Sequence, residues 1–269
     1  MYIVDTHCHA GLNWFEPVEM ILHQMNLNGV AKALLTQHGG NYDNAYLLEC
    51  IKRYPGRFKA IVGVDPADPN ALSTLEKLSH EEGVCALRLR PVDRSPGKDP
   101  LAIWRKAGDL GLPVSVFLIN VADCADPGFQ EAMHSLSGTI VLEHLCGMYA
   151  PRSPQSITAP YDNYKKALEL AKRPNMYVKF GGLGEFSTRS PRLQSQFHFE
   201  NIPPMMEMAY EAFGPRRMMW GSDFPPVGGR EGYRNSLQGV MEHHVFRSQE
   251  DKDWAFSKTA LAVWKLSQD

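Results

Sequence analysis

The chain has 269 residues with 28 Lys+Arg against 30 Asp+Glu, a formal net charge of -2, so its bulk charge attracts neither nucleic acid nor an anionic membrane surface. Hydrophobic residues make up 43% and charged residues 22%, and no apolar run approaches the ~20 residues of a bilayer span, which excludes disordered and integral-membrane classes. A folded chain of this size buries roughly three quarters of its unfolded surface, enough for one large core. Its five cysteines (Cys8, Cys50, Cys85, Cys124, Cys146) are odd in number and irregularly spaced, with no C-x-x-C, as expected of reduced thiols. The opening MYIVDTHCHA shows neither a basic nor an apolar leader region, so the expected location is the cytoplasm.

Short apolar, β-branched runs alternate with stretches of helical periodicity. Strands are predicted over residues 2–9, 30–38, 58–65, 84–91, 113–119, 139–146, 176–181 and 217–223. Helices are predicted between them over residues 17–28, 43–54, 70–82, 100–110, 127–137, 161–172, 202–213 and 232–246, with a last helix over 251–266. Eight βα units predict a parallel sheet covered by helices, closed as a single-domain (β/α)8 TIM barrel over residues 1–269 with an extra C-terminal helix. An open doubly wound sheet is the competing arrangement, because periodicity does not show closure. FGGLGEF at 180–186 lacks the dinucleotide-binding glycine spacing, and its glycines are expected to admit close backbone approach or to bend a strand end. The long loops 147–160 and 182–201 follow strands, on the side where such barrels work, and are candidate lids.

Strand side chains alternate between the barrel interior and the helix layer. Asp5, His7 and His9 share one face of the first strand, and two imidazoles at i, i+2 suit a divalent metal or a polar mouth held by hydrogen bonds. In the sixth strand Ile140, Leu142 and His144 share a face, which brings His144 to the mouth if that face is inward. The eighth ends with Met219, Gly221 and Asp223 on one face; Asp223 is either a working carboxylate or a turn-shaping residue before Pro225. In the fourth strand Arg88 and Arg90 oppose Leu87 and Leu89, so both guanidiniums are expected inward, to meet a resident carboxylate or an anion on the substrate. Lys179 shares the inward face with Tyr177. Cys8 should face the helices, and an inert buried thiol is expected for Cys146. Trp14 and Phe15 could wall a pocket or staple the first loop, and His38, ending the second strand, either lines the pocket or, as the preferred reading, is a satisfied core histidine.

The combination DTHCH at 5–9, RFKAIVGVDPADPNAL, LEHLCG at 142–147, YVKFGGL at 177–183 and RMMWGSDFP at 217–225 resembles the amidohydrolase-related family, amidohydrolase family 2, over nearly the whole chain. The resemblance implies a (β/α)8 barrel and an activity among lactonases or nonoxidative decarboxylases of aromatic acids, with functional positions at His7, His9, His144 and Asp223. The fifth strand, PVSVFLIN, lacks the family's bridging lysine and its strand-five histidine, so a dinuclear centre is not expected. The implied cofactor is one divalent metal, Zn²⁺ for preference, held by His7, His9, Asp223 and His144, with a metal-free mechanism as the other version. The compact length resembles the lactonase branch.

The expected function is therefore hydrolysis of a lactone of a small anionic sugar acid or aromatic-catabolism intermediate. Asp223 would be the base, His144 the polarising group, and Arg88, Arg90 and Lys179 the anion holders. A metal-dependent decarboxylase is the alternative, and an inactive barrel acting as a binding protein is the second. No nucleic-acid or membrane partner is expected, and the oligomeric state is open, with a homodimer as one option.

Overall fold

The structure, a computed structural model, describes residues 1–187 and 202–268. Each predicted strand is present, trimmed to the part that pairs: β1 (Val4–Cys8), β2 (Lys32–Thr36), β3 (Phe58–Gly63), β4 (Val84–Leu89), β5 (Val114–Val116), β6 (Ile140–Leu142), β7 (Met176–Phe180) and β8 (Met218–Trp220). They form one parallel sheet in sequence order. The seam between β8 and β1 is closed by Asp223 N–H donating to His7 O (2.8 Å) and His9 N–H donating to Phe224 O (2.8 Å). These two bonds lie at the mouth, so the residues that close the barrel are also those that end in site side chains.

Helices Val18–Asn28, Ala45–Arg53, Ala71–Ser79, Ala102–Asp109, Pro127–His134, Asp162–Leu168, Met205–Phe213 and Tyr233–Met241 follow the strands. A C-terminal helical run from Gln249 to Val263, with a π turn at Trp254–Lys258, crosses beneath the barrel. Strand residues such as Cys8, Leu35, Leu87, Leu142 and Val178, with Ile3 just before β1, pack outward on the helices. A smaller inner cluster, Val4, Leu34, Ile61, Ala86, Val141 and Met219, is closed below by Ala260, Val263 and Trp264. Among the described residues no helix is long and apolar enough to cross a membrane. The expected lid at 182–201 lies outside the described residues beyond Ser187.

Two parity expectations are corrected by local backbone. In β1 the register against β2 slips by one residue between Asp5 and Cys8, a bulge that re-aims the strand. Ile3 therefore belongs to the outer layer, and Asp5 accepts from Tyr233 Oη (2.9 Å) of a covering helix, while His7 and His9 face the site. In β6 the inward residue is Val141, not Ile140 or Leu142. His144 still reaches the mouth because the chain leaves strand geometry there: His144, Leu145 and Cys146 have φ of 50°, 46° and 62°. All five cysteines are free and buried.

Candidate active site

The deepest polar layer above the inner cluster is an ion network. Arg88 on β4 donates to both oxygens of Glu143 (Nε to Oε1 3.1 Å, Nη2 to Oε2 2.6 Å) and to Gln37 O (2.8 Å). Ser115 of β5 donates to Glu143 Oε1 (2.7 Å) and accepts from Lys179 Nζ (2.9 Å). Lys179 lies 3.9 Å from Glu143 and 3.5 Å from His7 Nδ1. Burial would raise the pKa of Glu143, but Arg88 and then Lys179 bring it down to about 2. Burial lowers Lys179 to about 8 against the pull of Glu143. The resident carboxylate weighed against a substrate anion is thus Glu143, and it occupies Arg88. Arg90 departs from expectation: β4 ends at Leu89, so Arg90 lies beyond the strand, is exposed and pairs with Asp93 at 2.8 Å. It does not face the barrel interior.

Above that layer His7, His144 and Asp223 each present a ligand atom, all within 4.8 Å of one another. All three are buried. His7 sits beside Gly221, the residue that follows β8; a Cβ at Gly221 would lie 2.5 Å from His7 Cβ, so the close approach of the two chain segments requires glycine. Burial, followed by the charge of Lys179, holds His7 well below the ordinary histidine pKa. Its Nε2 is buried without a hydrogen-bond partner among the described residues. His144 places Nδ1 3.2 Å from Glu185 Oε1; burial would lower its pKa, but Glu185 raises it above the ordinary value.

Asp223, at φ 55°, is gripped from several sides. Arg230 Nη1 donates to its Oδ2 (2.8 Å), Tyr149 Oη donates to the same oxygen (3.3 Å), and His9 Nε2 lies 3.7 Å from Oδ1. Burial would raise its pKa, yet His9, His144 and Arg230 together hold it well below the carboxylate range, so it is ionised. His9 reaches Asp223 without belonging to the three-way cluster. Its Nδ1 is 2.7 Å from Thr36 O; a carbonyl can only accept, so Nδ1 carries a proton and Nε2 is the ring atom turned toward Asp223. Phe15 stacks on this ring at 4.5 Å, with Trp14 and His38 beside it. His38 is exposed at the mouth, not a core histidine.

The donor set fits a divalent cation. An ionised carboxylate, an unpartnered imidazole nitrogen and imidazoles whose second nitrogens are held by a carbonyl or a carboxylate are what such an ion needs. Sequence reasoning missed Glu143, Tyr149, Glu185, Arg230 and Glu231. One signal was available for Glu185 and Glu231: the FGGLGEF glycines. A Cβ at Gly181 would fall 2.1 Å from Glu185 Oε1, and one at Gly182 or Gly184 would fall 2.0 Å from a Glu231 oxygen. Those glycines make room for two buried carboxylates around Arg230, which lies 3.4 Å from each.

Comparison with known proteins agrees with this architecture. A 4-sulfomuconolactone hydrolase from Hydrogenophaga intermedia is 24% identical over 191 residues, 69% of this chain; the match spans 57% of that protein's length. A structure named as a probable 2-pyrone-4,6-dicarboxylic acid hydrolase from Acinetobacter baumannii, with citric acid bound, covers 98% of this chain and 100% of its own with TM-score 0.74 and 16% identity. An amidohydrolase from Burkholderia multivorans with bound zinc covers 99% of this chain and 100% of its own with TM-score 0.76 and 17% identity. At these identities the structural likeness carries the fold. The amidohydrolase family model matches residues 4–266, and the chain therefore belongs to the amidohydrolase family.

Proposed function

We propose that this protein is a hydrolase that opens the lactone ring of a small anionic substrate, with Asp223 as the base. The observation that carries the reading is the convergence of His7, His144 and an ionised Asp223 at the C-terminal mouth of the barrel. The names of the relatives, a sulfomuconolactone hydrolase and a pyrone dicarboxylate hydrolase, support a cyclic ester bearing acidic groups. Arg88 and Lys179 support the site from below, neutralised by Glu143, and are not assigned to the substrate's anionic groups.

Hydrolysis needs a base for water and a donor for the carbonyl oxygen. Asp223 Oδ1 takes a proton as water adds to the carbonyl carbon. His144, whose Nδ1 is held by Glu185 and whose basicity is raised, supplies positive charge to the developing oxyanion. The tetrahedral centre then expels the ring oxygen, which recovers the proton from Asp223. The new carboxylic acid ionises, so one proton is released per turnover. A divalent cation held by His7, His144 and Asp223, with His9 alongside, would lower the pKa of a water toward ~7 and polarise the carbonyl. The grip of Arg230 and Tyr149 keeps Asp223 ionised but also weakens it as a base, so proton transfer is confined to the moment at which water attacks.

Replacing Asp223 by Asn tests the assignment: lactone turnover should fall by more than ~10²-fold while substrate or product still binds. Full activity in D223N would remove Asp223 from the chemistry. Release of carbon dioxide from an aromatic acid, without ring opening of any lactone, would replace this reading by a decarboxylase.

A further inference from the structure

The first loop after β1 carries backbone strain at Phe15. Phe15 has φ 73°, a region that bulky side chains rarely enter and that is occupied chiefly where the surroundings impose it. The loop is pinned at its ends by Gly11 N–H donating to Glu16 O (2.9 Å), and a Cβ at Gly11 would lie 2.3 Å from Trp14 O, so the turn closes on glycine. Its tip is not a core element: Leu12 is 71% and Trp14 67% exposed. This geometry brings Phe15 onto His9. The Phe15 ring lies flat on the His9 imidazole, centroids 4.5 Å apart and planes within 8°.

That contact completes the restraint of His9. The hydrogen bond from Nδ1 to Thr36 O fixes one ring atom, but a ring held at one atom can still rock about that bond. A parallel aromatic face removes the rocking and leaves Nε2 aimed at Asp223 Oδ1, 3.7 Å away. His38 braces Phe15 with an edge contact at 5.3 Å. We infer that Phe15 is a positioning residue for His9, and that the strained conformation of residues 11–16 is retained because it lays the Phe15 ring on that imidazole. The inference rests on the proposed hydrolase only for its kinetic readout.

Phe15→Gly and Phe15→Tyr separate this role from a merely structural one. Glycine adopts φ 73° freely, so F15G relieves the strain while deleting the stacked ring; tyrosine keeps both. For F15G the expected result is a melting temperature equal to or above that of the unaltered protein, kcat reduced about tenfold or more with KM little changed, and broadening or loss of the protected His9 Nδ1–H proton resonance. F15Y should retain the sharp resonance and near-normal kcat. An F15G protein with a lowered melting temperature, unchanged kcat and an unchanged His9 resonance would overturn the inference and make Phe15 a packing residue. If the unaltered protein opens no lactone, loss of the His9 resonance in F15G and its retention in F15Y still support the positioning role, and the failure belongs to the functional reading alone.

Discussion

Replacing Arg88 by methionine keeps most of the side chain's length and apolar bulk and deletes the guanidinium. Two charge-assisted bonds to Glu143 (3.1 and 2.6 Å) and one to Gln37 O (2.8 Å) are lost in a layer where Glu143 is fully buried. Removing one partner of such a pair costs about 3 to 5 kcal/mol, because the other charge is left in a poorly solvating medium. Lys179 at 3.9 Å and Ser115 at 2.7 Å still face Glu143, which places the expected loss near the lower end, about 3 kcal/mol. The pKa of Glu143 gives the same scale: a fall from 4.5 to about 2 corresponds to roughly 3 kcal/mol. That stability is present above the unfolded pKa and is lost as pH falls from 4.5 toward 2, so the gap between Arg88→Met and the unaltered protein should be full at pH 7 and narrow as pH falls toward 2. Urea unfolding at pH 7 and pH 3 measures both effects. The double variant R88M/E143Q, which removes both charges, should recover at least about 1 kcal/mol relative to the sum of the single changes. The reasoning is refuted if R88M is destabilised by less than about 1 kcal/mol while KM rises tenfold at constant kcat, the signature of a substrate clamp.

Three further outcomes are expected. Arg230→Gln removes the 2.8 Å partner of Asp223 Oδ2, so the carboxylate's depressed pKa should rise and the acid limb of kcat/KM should move to higher pH, by about one unit or more; an unmoved limb would mean that Arg230 does not set the base. Gly221→Ala puts a methyl 2.5 Å from His7 Cβ, which should cost about 1 to 3 kcal/mol in urea unfolding and lower kcat more than tenfold, whereas an unperturbed protein would contradict the tight β1–β8 seam. Asp5 has its pKa raised to about 6, chiefly by burial, so its stabilising contribution is complete below the unfolded value of 3.8 and is lost as pH rises through 6; Asp5→Asn should gain on the unaltered protein between pH 4 and pH 8 by up to about 3 kcal/mol in thermal unfolding, and a constant gap would refute the shift.

The barrel was legible because its evidence is local and repeated: eight apolar runs, each followed by a helical period, require a parallel sheet. His7, His9 and Asp223 were legible because they end strands in short polar motifs. Simple parity failed where the backbone leaves regular strand geometry. The β1 bulge sends Asp5 to Tyr233 and Ser222 while turning His7 inward, and three consecutive residues of positive φ bring His144 to the mouth from a strand whose inward residue is Val141. Arg90 misled because β4 stops one residue before it. Arg230 was invisible as a site residue because its role depends on a partner 45 residues away, whereas the glycines of FGGLGEF signal close packing without naming the buried carboxylates that need it. The near-neutral whole-chain charge hides an interior in which Glu143, Asp223 and Glu185 pair with Arg88, Lys179 and Arg230.

The central claim is tested most directly by supplying purified protein with 4-sulfomuconolactone or 2-pyrone-4,6-dicarboxylate in ¹⁸O-labelled water, and following proton release and the mass of the product, beside D223N. The account predicts ring opening with one proton and one ¹⁸O atom gained in the new carboxylate per turnover, and loss of both signals in D223N. Ring opening of equal rate in D223N, or no ring opening together with carbon dioxide release from an aromatic acid, would contradict it.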